Sequence, residues 1–223
     1  MLKHLAIIPD GNRRYAKKAK IQMRNNYKNS IEKTFDIVGW CVESKISVLT
    51  IWGFSTENWK RSNSEKKVLF KLFEEKATEL LLDERLVTGG IQIKVIGDKK
   101  QFSKKLQSLF CDIEEKTKKN KKLKLNLLLN YGGRYEILSA INNLLKESKK
   151  NVDEKTFKKY LWLSEEPDLI IRTSGEHRLS GLLPFQSVYS ELYFEPKYFP
   201  EFEKKDFNKA IKSFNNQSRR FGK

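Results

Sequence analysis

The sequence predicts an α/β fold, a single domain over residues 1–223 with a central, mainly parallel sheet flanked by helices. Three observations predict it. Short apolar runs of strand length recur at Leu5–Ile8, Val48–Phe54, Ile91–Ile96, Leu123–Leu129, Leu169–Ile171 and Leu192–Phe194, each too continuously apolar for a strand with one wet face. Between most of them, apolar residues return every three or four positions, at Ser30–Glu43, Glu65–Asp83, Phe102–Lys118, Glu136–Ser148 and Asp206–Phe214, the spacing of amphipathic helices. Finally, 223 residues with no internal repeat and no Pro-rich or Gly/Ser-rich linker suit one sizeable core. Alternating strand and helix imply crossover connections that cover both faces of the sheet.

Taken in order, the first strand ends in Pro9-Asp10-Gly11-Asn12-Arg13-Arg14-Tyr15, followed by Ala16-Lys17-Lys18, a helix-compatible continuation. The second runs into a polar and aromatic group, Gly53–Arg61. The helix over Glu65–Asp83 carries Val68, Leu69, Phe70, Leu72, Phe73, Leu80 and Leu81, apolar around more of its circumference than core packing demands. The fifth strand is followed by Arg172–Ser180, and Glu191 precedes the last. In such sheets ligands bind beyond the carboxyl ends of the strands, so these segments are the places to look for chemistry.

Composition narrows the function. Hydrophobic residues make up 39% and charged residues 33%, enough for a core under a well-solvated surface. No apolar run approaches the ~20 residues that cross a bilayer, and Leu5–Ile8 is too short for a secretory signal. Cys41 and Cys111 have neither zinc-site spacing nor a disulfide framework around them. A cytoplasmic location is expected, at most resting on a membrane surface. The net charge of +17 calls for an anionic partner: nucleic acid, an acidic membrane face or phosphorylated small molecules. Runs such as Lys116–Lys124 and Lys146–Lys155 read as solvated surface.

The strand-end segments are more specific. Asp10 stands at the sheet's carboxyl edge, Gly11 permits close backbone approach, the following N–H groups can face an anion, and Arg13, Arg14 and nearby lysines add positive charge. This is either a diphosphate cradle with a carboxylate at its rim or a capped turn with solvated basic residues. A hard cation such as Mg²⁺ takes one or two carboxylates plus phosphate oxygens, so Asp10 is its candidate ligand. In the second segment Ser55 and Asn58 offer a hydroxyl and an amide, Arg61 a fork for phosphate, and Trp59 a flat apolar wall or an ordinary core ring. The third brings Arg172, Arg178, Thr173, Ser174 and Ser180 within nine residues, a diphosphate clamp. Glu191 is a candidate second metal ligand or an ordinary edge charge.

Six segments in this order, HLAIIPDGNRRYAKK, GFSTENWKR, IGD, NYGGRYE, RTSGEHRLS and YSELYF, closely resemble the cis-prenyltransferases, the family that includes undecaprenyl diphosphate synthase. The resemblance implies a six-stranded parallel sheet, an apolar tunnel for a growing chain, a homodimer, and repeated condensation of isopentenyl diphosphate onto an allylic diphosphate to make a polyprenyl diphosphate, the precursor of a glycan carrier lipid. It implies that Asp10 is the essential Mg²⁺-associated aspartate, and that Gly11, Asn12, Arg13, Arg14 and Tyr15 belong to the loop holding the allylic diphosphate. Ser55, Glu57, Asn58, Trp59 and Arg61 match the second motif, whose Ser and Asn position substrate and assist proton removal. Arg172, Arg178 and Ser180 match the isopentenyl diphosphate site, Glu191 the acidic residue completing the metal site, and Arg220 with Gly222 a C-terminal element that reaches an active site across the dimer. A peripheral contact with a membrane for product release is also implied.

The match has departures. DGNRRY stands where many bacterial members have DGNGRW. Between Lys20 and Lys28 the usual arginine and Gly-His pair do not align, leaving Arg24 or Tyr27 as candidates. GLLPFQS replaces the bacterial NFLLWQS. Rival classes fit less well: no RNP, zinc-finger or basic-zipper pattern supports nucleic-acid binding, and no GxxxxGK[ST] loop supports a nucleotide kinase. An idle partner subunit would have lost the aspartate or the arginines that this chain keeps.

Overall fold

The computed structural model describes residues 1–84, 88–149 and 151–217, so Arg220 and Gly222 lie outside the described residues. The strands are β1 His4–Ile8, β2 Val48–Ser55, β3 Ile91–Ile96, β4 Leu123–Tyr131, β5 Leu169–Arg172 and β6 Glu191–Phe194. They form one six-stranded sheet in the order β3-β4-β2-β1-β5-β6, with every pair parallel. The described helices are α1 Asn12–Ala19, α2 Met23–Glu43, α3 Asn63–Leu82, α4 Lys104–Thr117, α5 Gly133–Lys146, α6 Glu154–Lys158 and α7 Lys204–Asn215. None is long and apolar enough to cross a membrane.

The pleat explains why the strand sequences are apolar throughout. In β1, which is buried at every position, Leu5 and Ile7 face a cluster with Ile37 and Cys41 of α2 and Phe207 and Ala210 of α7. Ala6 and Ile8 face the opposite side, against Trp52, Leu163, Leu182 and Leu183. A strand buried on both faces has no room for polar alternation. A third cluster packs the carboxyl half of the sheet against α2, α3 and α4, with Tyr27, Phe54, Leu69, Phe102 and Phe110 at its heart.

One irregularity shapes the site. The β2–β4 register slips between Trp52 and Phe54, leaving Gly53 as the extra residue of a β-bulge. Beyond it Phe54 pairs with Leu129 rather than continuing the alternation, and joins the third cluster. A Cβ on Gly53 would lie 2.9 Å from Leu129 Cδ2. α2 also differs from expectation, starting at Met23 rather than Ser30.

Candidate active site

β1 hands the chain to α1 through Pro9, Asp10 and Gly11. Gly11 holds φ 94°, and a Cβ there would strike Tyr198 Cδ1 at 2.5 Å and Ser174 Cβ at 2.9 Å, so only glycine fits this turn. The loop is pinned from two other strand ends: Phe199 N donates to Asp10 O at 3.0 Å and Thr173 Oγ1 to the same oxygen at 2.8 Å. The Asp10 side chain is held too. Gly11 N donates to Oδ1 at 2.6 Å and Arg172 Nη2 to Oδ2 at 2.8 Å, while Arg14 stands 3.5 Å from Oδ1.

From there a polar chain runs along the carboxyl edge. Arg14 donates to Ser174 Oγ at 2.6 Å and to Glu176 Oε1 at 2.8 Å, and Arg178 donates to Glu176 Oε2 at 2.6 Å. Arg172 reaches Ser180 Oγ at 2.7 Å and the carbonyl of Arg178. Two carboxylates, Asp10 and Glu176, thus hold three arginines. The Arg172 side chain is only 5% exposed, and its Nε is buried without a hydrogen-bond partner. Burial pushes the Asp10 carboxyl up, but the Arg172 hydrogen bond, the Gly11 amide and the charges of Arg172 and Arg14 outweigh it and hold the pKa below the ordinary value. Hydrogen bonding and charge from Arg178, then Arg14, lower Glu176 as well.

The second loop folds into a 3-10 turn, Thr56–Lys60, which Asn58 helps to fix by accepting from Ser55 N at 3.1 Å. Arg61 donates to Tyr27 OH at 3.1 Å, Tyr27 OH to Glu65 at 2.6 Å, and Arg13 lies 3.9 Å from Glu65. Asn12 is held by α2: its backbone carbonyl accepts from Asn26 Nδ2 at 3.0 Å and its side-chain oxygen accepts from Ser30 Oγ.

All three loops open on one cavity of about 960 Å³. Its mouth is lined by Asp10, Gly11, Asn12, Arg13 and Arg14 from the first loop, Ser55, Glu57, Asn58 and Arg61 from the second, and Arg172 and Ser180 from the third. Below the mouth the walls turn apolar, with Gly53, Leu127 and Leu129 from the sheet, Ile31 and Phe35 from α2, and Phe73, Ala77 and Leu80 from α3. Ile93 of β3 and Ile113 of α4 line the end away from Asp10.

Five expected residues stand elsewhere. Trp59 packs among Phe54, Phe70 and Phe102 and donates to Asn130 Oδ1 at 2.7 Å, which makes it a core ring rather than a wall of the cavity. Arg24 is tied to Glu75 on the surface, and of the two candidates there it is Tyr27 that lines the cavity. Tyr15 meets the edge of Tyr198, and Arg178 sits at the rim through Glu176. Glu191 is not brought to Asp10 within the chain: as the first residue of β6 it is level with Leu169 and Leu5, at the amino edge. Three residues of strand rise, roughly 10 Å, separate that level from the end of β1. The run after Glu191 reads as a strand, and a residue opening a parallel strand lies at the wrong edge to share a site with one that follows such a strand.

Sequence reading also passed over residues that matter here. Glu176 joins Arg14 to Arg178, and Asn26 and Ser30 fix Asn12. Tyr198 lies against Gly11, with Arg14 and Lys18 5.6 and 5.7 Å from its ring centroid. Glu176 stands inside the third motif; nothing in the sequence points to Tyr198. Among the described residues no group of three or more His, Cys, Asp or Glu could hold a metal, so a resident, protein-caged ion does not fit. Asp10, a single carboxylate at the mouth beside arginines suited to phosphate, fits an ion completed by substrate oxygens.

The whole chain matches known proteins. Residues 8–222 match the family model described as "Putative undecaprenyl diphosphate synthase", and the chain belongs to this family, the cis-prenyltransferases. A tritrans,polycis-undecaprenyl-diphosphate synthase (geranylgeranyl-diphosphate specific) of Thermoplasma acidophilum is 43% identical, the match covering 99% of this chain and 89% of that protein. An isoprenyl transferase of Thermotoga maritima is 42% identical over 98% of this chain and 96% of its own length. The crystal structure of lavandulyl diphosphate synthase from Lavandula x intermedia in complex with dimethylallyl diphosphate superposes with a TM-score of 0.90 at 31% identity, covering 100% of this chain and 98% of that one. The protein is therefore an isoprenyl transferase that makes polyprenyl diphosphate by cis-prenyl chain elongation.

Proposed function

We propose that the chain works as a single domain with Mg²⁺, extends geranylgeranyl diphosphate or a similar allylic primer with isopentenyl diphosphate, and grows the product down the apolar cavity. The observation that carries this reading is the arginine chain from Arg172 through Asp10 and Arg14 to Glu176 and Arg178, set at the mouth of a cavity of about 960 Å³ whose inner walls are apolar. Such a site suits a ligand with an anionic head and a long hydrocarbon tail.

In each cycle the isopentenyl double bond attacks the allylic carbon, the bond from that carbon to the diphosphate oxygen breaks, and a proton leaves the isopentenyl part to set the cis double bond. Negative charge builds on the departing diphosphate. Arg14 and the amides after Gly11 are placed to receive it, while Arg172, Arg178 and Ser180 hold the second diphosphate, that of isopentenyl diphosphate. Asp10, with substrate oxygens, would hold Mg²⁺, which would supply charge neutralisation and Lewis-acid activation of the leaving group. Ser55 and Asn58, across the mouth from Asp10, are the candidates for steering the proton. Glu191, at the other edge, has no part in this account of one chain's site.

Two exposed apolar groups support a homodimer. Leu138, Ile141 and Leu145 share one face of α5 and are 57%, 40% and 67% exposed, and Val188, Tyr189 and Leu192 stand out beside the edge strand β6. Exposed apolar clusters of this kind mark association surfaces. The product's later use as a glycan carrier lipid follows the family.

The test is to incubate the purified protein with Mg²⁺, labelled isopentenyl diphosphate and geranyl, farnesyl or geranylgeranyl diphosphate in turn, then to size the products. Long polyprenyl products, most abundant from geranylgeranyl diphosphate and abolished by chelation, are expected. Equal incorporation in excess chelator would refute the metal assignment, and a preference for the shortest primer would refute the primer assignment.

A further inference from the structure

We propose that Asn130 is a positioning residue for the loop Ser55–Arg61, acting through the indole N–H of Trp59. The proposal rests on the reading that Ser55 and Asn58 work at the mouth of the cavity. Two motifs stand unused in that reading. IGD ends on Asp98 and NYGGRYE opens on Asn130, yet neither residue lines the cavity. The fold brings them together behind the second loop. Trp59 Nε1 donates to Asn130 Oδ1 at 2.7 Å and Asn130 Nδ2 to the Asp98 carbonyl at 2.7 Å, while Asp98 N donates to the Asn130 carbonyl at 3.2 Å. Asn130 is 1% exposed, so a lost partner would leave a buried polar group unpaired.

The backbone is shaped around this residue. Trp52 pairs with Leu128, Phe54 with Leu129 and Ser55 with Tyr131. Gly53 is thus extra on β2 and Asn130 extra on β4, and the second bulge restores the register that the first one shifts. Asn130 takes φ 49°, a left-handed conformation that asparagine tolerates and a β-branched side chain resists. Chemistry narrows the choice further. Asp would accept from the indole but could not donate to the Asp98 carbonyl, and Leu would do neither. The loop's other ties reach its backbone: Lys66 Nζ donates to the Trp59 carbonyl at 2.9 Å, and Ser55 sits in the ladder. The Trp59 ring packs on Phe54, Phe70 and Phe102. Such apolar contacts are non-directional, so the indole hydrogen bond sets how the ring is turned. Asn58 precedes Trp59 and holds Ser55 N. A turn of the ring therefore moves both, and about 1 Å of misplacement can cost on the order of 100-fold in rate.

The test combines kinetics with NMR spectra of the full chain carrying isotope-labelled tryptophan. Asn130→Gly keeps the left-handed backbone and removes the amide; Trp59→Phe keeps a ring and removes the N–H. Each should lower kcat for isopentenyl incorporation about tenfold or more, while the KM for the allylic primer, bound at the first loop, stays within about twofold. The double variant should be no slower than the slower single one, because both changes break one contact. Trp59→Phe identifies the Trp59 indole signal, whose proton should exchange with solvent faster in Asn130→Gly. Folded variants with normal kcat, losses that multiply in the double variant, or an indole exchange rate unchanged in Asn130→Gly would each overturn the proposal. Should Asn130→Gly fail to fold, Trp59→Phe carries the same kinetic prediction alone. A wild-type protein without turnover marks a failure of the function reading instead, since the indole exchange reports the anchor independently.

Discussion

At the residue scale, the neighbours of each charge decide its role. His4 is 4% exposed, bonded through Nε2 to Thr50 at 2.8 Å, with Nδ1 unpartnered; burial, the largest effect, pulls its pKa down to about 4. The folded pKa is thus below the unfolded value of about 6.5, so as pH falls the unfolded chain takes up the proton first. Stability is full above about pH 6.5 and declines by about 3 kcal/mol as pH falls to about 4. Denaturant melts of His4→Gln across that range should show a shallower pH dependence, and an unchanged slope would place the titration elsewhere. Tyr198 makes a second case. Its ring lies against Gly11 and beside Arg14 and Lys18, so Tyr198→Leu should raise the KM for the allylic primer about two- to fivefold, with kcat less affected and Tyr198→Phe near normal. Equal effects of Leu and Phe would contradict the ring's role.

Elements show why the fold was more legible than the site. All six strands announced themselves as short apolar runs: central strands such as β1, covered on both faces, must be apolar throughout, whereas the edge strand β6 has no buried residue and was marked by its composition alone. The start of α2 did not. Its buried residues there are Asn26, Tyr27 and Ser30, polar because they hold Asn12 and line the mouth, so a search for apolar periodicity begins the helix only at Ser30. α1, rich in Arg and Lys, and the five-residue α6 lack an apolar stripe for the same search to find. The arginines were legible because Arg14, Arg172 and Arg178 come with hydroxyls and glycine in short loops, whereas Trp59 looked the same in sequence and packs in the core. The bulge at Gly53 carries a prediction of its own. A leucine there must displace Leu129 and project into the cavity, so Gly53→Leu should shorten the products, as sized by thin-layer separation, and an unchanged ladder would show that the chain grows elsewhere.

For the whole molecule, the parallel sheet gathers chemistry at one edge. The exposed apolar face of α5 predicts association: Leu138→Asp with Leu145→Asp should move the protein from dimer to monomer in light scattering, while an unchanged mass would assign that face another use. The arrangement of head and tail depends most on Asp10, which ties Arg172 to Arg14 and is the candidate metal carboxylate at the mouth. Replacing it removes the metal's anchor as well as one charge, and loss of a single preorganised donor at such a site already costs about 2.7–4 kcal/mol of transition-state stabilisation. The direct measurement is therefore isopentenyl incorporation by Asp10→Ala alongside its circular dichroism. A folded protein with turnover reduced about 100-fold or more is predicted; a folded protein turning over at close to the normal rate would contradict it.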